Sequence, residues 1–143
     1  MSVEENKAIV SRATEELWNK NNLAVVDELY ATNFVAHGLP EVTPDREGYK
    51  QFVTISRTAL PDFHTTVEDI IAEGDKVVAR FTVRGTHKGE FMGIPPTGKQ
   101  VTMTGIAIDR IAGSKIVENW ANMDMLGMMM QLGVVPPPGQ AGR

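Results

Sequence analysis

The chain has 143 residues, 22% of them charged and 42% hydrophobic, with a net charge of −4, which is enough length for one domain with a buried core. It contains no cysteine, which excludes a disulfide framework, a thiol nucleophile and a thiolate zinc site. Acidic and basic residues are mixed, with no basic stripe for nucleic acid, and the apolar runs are shorter than the roughly 20 residues of a membrane helix.

The N-terminus, MSVEENKAIV, is polar and acidic, unlike a secretory leader, so a soluble cytoplasmic protein is expected. From Val3 to Lys20, Ile9, Val10, Ala13 and Leu17 fall at helical spacing with Trp18 beside them. After Asn21-Asn22, Leu23 to Ala31 reads as a second, short helix. Phe34-Val-Ala-His37 then leads into a Gly/Pro loop. Thr43-Pro44 is a helix-start signal, with Thr43 as cap and Pro44 in the first helical position. Tyr49, Phe52, Val53, Ser56 and Leu60 share one face of that third helix, and Pro61 stops it.

Beyond Pro61 the rhythm becomes two. Val67, Asp69 and Ile71 alternate with their neighbours, Glu73-Gly74-Asp75 turns, and Val77, Ala79, Phe81 and Val83 continue the pattern. A loop from Gly89 to Gly98 precedes a strand from Gln100 to Ile111. Ala112-Gly113-Ser114 turns into a last strand, Lys115 to Met123. Asp124 to Leu132 is helical, and the tail 135–143 is expected to be mobile. Helices followed by antiparallel strands make an α+β fold. The expectation is one domain over 1–134, with about four long strands in a curved sheet around three N-terminal helices. Such a cone holds an internal pocket suited to a small hydrophobic molecule.

Two segments carry a family resemblance. Arg84-Gly-Thr-His-Lys-Gly-Glu-Phe-Met-Gly-Ile-Pro-Pro-Thr-Gly-Lys99 resembles the G-T-H-x-G-x-F-x-G-x-P-P-T-G-[KR] stretch of SnoaL-like polyketide cyclases, also called ester cyclases. Lys115-Ile-Val-Glu-Asn-Trp-Ala-Asn-Met-Asp-Met-Leu-Gly127 resembles the same family's G-K-I-V-E-x-W-x-x-x-D-x-x-G ending, with Ser114 displaced by one position from the usual turn glycine. The order of elements agrees over about residues 3 to 133. The resemblance implies a cone like that of ketosteroid isomerase and the nuclear transport factor. It also implies homodimers packed sheet to sheet, and metal-free, cofactor-free aldol cyclisation of an aromatic polyketide. Its acid–base aspartate maps onto Asp124.

An aldol closure needs a base beside an acidic C–H, a donor for the enolate and an acid for the new alkoxide. Ile116, Glu118, Trp120, Asn122 and Asp124 share a strand parity, which puts Asp124 on the side of Trp120 if the strand stays regular. Asp124 is equally placed to cap the helix that follows, and the two roles are compatible. His37, at the expected cavity mouth, and Arg110 are candidates for polarising a carbonyl. The alternatives are a histidine satisfied by loop carbonyls and an ion pair of Arg110 with Glu118, which a bulge in the turn would decide. Trp18, Phe52, Met103, Trp120 and Asn122 are candidate substrate contacts, with core packing as the plainer role. Met123, Met125, Met128, Met129 and Met130 suit an adaptable pocket or a subunit contact. His87 is read as orienting the 89–98 loop, and His64 as a strand-start residue.

The three histidines show no H-x-x-x-H spacing, so no metal is expected. The order Asp109-Arg110 puts those side chains on opposite faces and lacks the R-x-D of limonene epoxide hydrolases. An isomerase or cyclase is therefore favoured over a hydrolase, with a non-catalytic hydrophobic-ligand binder as the competing class.

Overall fold

The structure, a computed structural model, describes residues 2–136 and 139. The expected mobile tail lies mostly outside these described residues.

Ser2 opens α1 (Val3–Ala13) with a capping box, accepting from the Glu5 N–H at 3.1 Å while the Glu5 carboxylate accepts from the Ser2 N–H at 3.2 Å. The helix then widens into a π-helical segment, Thr14–Asn19, and the Lys20 N–H reaches back to the Glu15 carbonyl at 3.0 Å. In a turn of this width residues five apart come into line. Ala13 and Trp18 therefore reach the same side, and both line the cavity.

A short α2 (Ala24–Leu29) leads into β1 (Tyr30–His37), and α3 spans Arg46–Ala59. Asp45, not Thr43, caps α3. Its carboxylate accepts from the Gly48 N–H at 2.9 Å, with the Thr43 hydroxyl donating to it at 2.8 Å. Pro44 consequently precedes the cap instead of occupying the first turn.

The strands β2 (His64–Glu73), β3 (Lys76–Thr86), β4 (Gln100–Ala112) and β5 (Lys115–Met123) match the sequence reading closely. The sheet has five strands, not four, in the order β1-β5-β4-β3-β2. β1 joins parallel to β5, and the other pairs are antiparallel. A last helix, α4 (Met125–Leu132), lies across the end of β4. The Gln131 amide pins it there, accepting from the Thr102 N–H and donating to the Thr102 carbonyl, each at 2.7 Å.

One irregularity decides which face each late residue presents. Arg110 stands opposite Glu118, but Ile111 stands opposite Ile116, so Val117 is an extra residue in β5. A bulge of one residue reverses the parity of everything beyond it. Ile116 points into the core, fully buried, whereas Glu118 and Trp120 point out from the far face of the sheet. Asn119, Ala121 and Met123 take the inner positions.

Two apolar clusters fill the cone. One joins Val10, Leu17, Val26, Phe34, Val53 and Ile116 at its closed end. The other joins Leu60, Phe63, Val83, Met103, Met128 and Leu132 under α4. Trp18 packs against both.

Candidate active site

Between the clusters lies a cavity of about 420 Å³, within the range of small-molecule sites. Its walls are aromatic and sulfur-rich. Trp18 is the hub: it stacks on Phe63 at 5.4 Å and meets Phe52 and Tyr49 edge-on at 5.8 and 6.0 Å. The Arg57 guanidinium fixes that segment by donating to the Trp18 carbonyl at 2.5 Å. Met92, Met103, Met123, Met125, Met128 and Met129 supply thioethers to the lining, flexible groups that adapt to a guest's shape.

Among the described residues no lysine, arginine, histidine or glutamate lines this cavity, and Asp109 is its only carboxylate. Asp109 is buried on the inner face of β4, and Asn119, its cross-strand neighbour in β5, donates an amide N–H to it at 2.7 Å. Burial pushes the Asp109 carboxyl up to about 6, against the opposing effect of the Asn119 bond. Desolvation penalises the charged form, while a hydrogen bond donated to the carboxylate favours it. Asp109 is thus poised to exchange a proton near neutral pH. The buried hydroxyls of Tyr30 and Tyr49 lie in the same lining. Burial and then the nearby Asp109 charge push Tyr49 up to about 12.

The residues singled out from sequence divide between the two faces. Trp18, Phe52, Met103 and Asn122 line the cavity. So do Met123, Met125, Met128 and Met129 of the methionine cluster, but not Met130. Trp120 does not: the bulge at Val117 turns it to the outer face, where it stacks on His37 with ring centroids 5.1 Å apart. His37 and Arg110 also lie on that outer face and meet through one carboxylate. Glu118 takes the His37 ring at 2.7 Å and the Arg110 guanidinium at 3.0 Å, and His37 and then Arg110 hold its carboxyl below the usual range. Neither His37 nor Arg110 lines the cavity.

Asp124 is exposed and outside the cavity lining. It caps α4, accepting from the Gly127 N–H at 2.9 Å. β5 ends at Met123, so the strand parity expected to carry Asp124 to the side of Trp120 does not extend to it. Asp109, Asn119, Tyr30 and Tyr49 are the polar groups that the sequence reading passed over. The available signal was an acid standing in line with Gly105, Ala107 and Ile111 on one face of β4.

His87 is fully buried. Its Nδ1 accepts from the Thr97 N–H at 3.2 Å, and its backbone pairs with Lys99 and Gly98. It thus ties the base of the loop that brings Phe91 and Met92 to the cavity, in keeping with the orienting role read from the sequence. His64 begins β2, as expected. Among the described residues no three His, Asp or Glu side chains gather as a metal would require, and no helix is long and apolar enough to cross a membrane.

A curved sheet closed by helices over an apolar cavity with one carboxylate defines a cone-fold pocket protein. The sequence model of the SnoaL-like polyketide cyclase family matches residues 8–132, and the chain belongs to that family. Among solved structures it is similar to IdmH of Streptomyces antibioticus, described as a candidate polyketide cyclase. The two are 36% identical over 90% of this chain and 98% of the other, with a TM-score of 0.78. AclR of Streptomyces galilaeus, described as a candidate hydroxylase, is 30% identical over 94% and 100%, with a TM-score of 0.84. A candidate polyketide cyclase of Acidithiobacillus ferrooxidans is 31% identical over 94% and 99%, with a TM-score of 0.80. No curated protein matches the chain.

Proposed function

We propose that this protein is a cofactor-free acid–base catalyst acting on a neutral, hydrophobic ketone or ester, by intramolecular aldol closure or isomerisation, with Asp109 as the proton-transfer group. The observation that carries this reading is the buried Asp109 carboxylate in an apolar cavity, lifted to about 6. As a carboxylate, Asp109 takes a proton from the carbon next to a carbonyl. The resulting enolate carbon attacks a second carbonyl in a cyclase, and the Asp109 acid returns the proton to the new alkoxide. In an isomerase the proton returns to a different carbon. Among the described residues no cation lines the cavity to pair with an anionic substrate, and the methionine and aromatic walls suit a flat guest such as an aromatic polyketide.

Asp124, the aspartate that the family motif points to, is read here as a helix cap. The test is deuterium exchange into the α-positions of 2-tetralone in D2O, followed by NMR. The wild type should accelerate exchange, Asp109→Asn should lose on the order of 10²-fold or more, and Asp124→Asn should retain it. Exchange that survives Asp109→Asn, or that disappears with Asp124→Asn, overturns the assignment. A wild type that binds 2-tetralone without exchanging it favours the non-catalytic binder.

We also propose that a second copy of the chain covers the outer face of the sheet. Ile71, Ile106 and Val35 are exposed there, beside the Arg80–Asp69 pair and the His37–Glu118–Arg110 cluster.

A further inference from the structure

The aldol or isomerisation reading leaves one requirement without a residue: a proton donor for the oxygen on which negative charge develops. A phenol has one proton to donate and two lone pairs to accept with. The Tyr49 oxygen accepts the indole N–H of Trp18 at 3.3 Å. Tyr30, whose ring lies 5.2 Å from that of Tyr49, is buried beside it. Trp18 is thus the donor to that oxygen, and among the described residues the Tyr49 hydroxyl donates to no protein group. Tyr49 lines the cavity. A donor on a phenol oxygen also stabilises the charge that builds there as its proton is shared.

We propose that Tyr49 is a catalytic residue: its O–H donates to the substrate carbonyl oxygen and holds the enolate, with Trp18 and Tyr30 as the positioning residues behind it. In the step, the Asp109 carboxylate accepts the carbon-bound proton, the C–H electron pair becomes the enolate π bond, and the carbonyl π pair moves to the oxygen facing Tyr49. The Tyr49 proton stays on Tyr49. The same donor fixes which substrate carbonyl is activated, because a guest must place that oxygen against Tyr49 and its acidic carbon against Asp109.

This inference rests on the acid–base reading, but its test does not use turnover. Carbonyl-labelled 2-acetylnaphthalene is bound at pH about 8, where the Asp109 carboxyl is ionised and has no proton to offer, and its C=O stretch is recorded by infrared difference spectroscopy. In the wild type the band should lie at the low, hydrogen-bonded frequency seen in an alcohol, and in Tyr49→Phe it should move up toward the value in a hydrocarbon. Affinity for the ketone, relative to the isosteric hydrocarbon 2-isopropenylnaphthalene, should fall about tenfold in Tyr49→Phe. Tyr30→Phe should move the band less.

A wild-type band at the hydrocarbon frequency, a ketone that does not bind, or a band unmoved by Tyr49→Phe overturns the assignment. If Tyr49→Phe does not fold, Tyr30→Phe decides in its place: its band must move upward, and an unmoved band overturns the assignment. A shifted band together with exchange that ignores Asp109→Asn leaves Tyr49 as a ligand-orienting donor and removes only the base.

Discussion

Asn119 reaches across from β5 to donate its amide N–H to Asp109 on β4 at 2.7 Å, with both side chains buried. The pair meets because the bulge at Val117 puts Asn119 on the inner face opposite Asp109. The bond favours the ionised carboxyl and opposes the larger effect of burial. Asn119→Ala should therefore raise the Asp109 midpoint further. In the pH profile of 2-tetralone exchange the acidic limb should move above about 6, with the high-pH plateau largely kept. A purely structural role for Asn119 would lower the plateau and leave the limb in place.

Asp109 also couples folding to pH. Burial lifts its carboxyl to about 6, whereas an aspartate in an unfolded chain titrates near about 3.9. Between those values the folded chain keeps a proton that the unfolded chain has released, so stability falls as pH rises through the window and levels off above it. Asp109→Asn does not titrate. In urea unfolding, the variant should gain on the wild type by about 2 kcal/mol between pH about 4 and pH about 7. A constant difference across that range would mean that the carboxyl is not desolvated.

Asp124 should behave as a cap. Asp124→Ala removes the acceptor of the Gly127 N–H and should cost about 1 kcal/mol. Asp124→Asn should cost little, since asparagine caps as well. Thermal unfolding of the two variants, measured beside the exchange assay, separates this role from proton transfer.

The sheet's outer face gives an association prediction. Ile71 is 63% exposed and Ile106 50%, which is costly for large apolar side chains left in water. Ile106→Glu should convert a dimer into a monomer in sedimentation equilibrium, with the far-ultraviolet circular dichroism unchanged. A wild type that is monomeric at micromolar concentration refutes the interface.

Much of this architecture was legible in the residues. The alternation through Val77, Ala79, Phe81 and Val83, the Gly74 and Gly113 turns and the stop at Pro61 all correspond to observed boundaries. Trp18, Phe52, Met103 and Asn122 were legible as lining. The inner face of β4 was not, because a wall facing a cavity carries small residues. Gly105, Ala107 and Asp109 look like a solvent side beside Ile106 and Ile108, yet they face in.

Gly105 has a further reason to be small: a Cβ there would come within 2.6 Å of the Phe81 ring. The bulge at Val117 left no mark either, since one extra residue in an apolar strand changes neither composition nor turn signals. That single residue carries Glu118 and Trp120 to the outer face, where Glu118 meets Arg110 of β4. β1 escaped notice for a similar reason, being irregular between Tyr30 and Val35 and showing no clear period.

The most direct test of the account is the titration of the Asp109 carboxyl itself. Carbon-13 NMR of aspartate-labelled protein, assigned by comparison with Asp109→Asn, reads its midpoint without any substrate. The Asp109 midpoint should lie near 6. A midpoint near about 4, that of an aspartate in water, would contradict it.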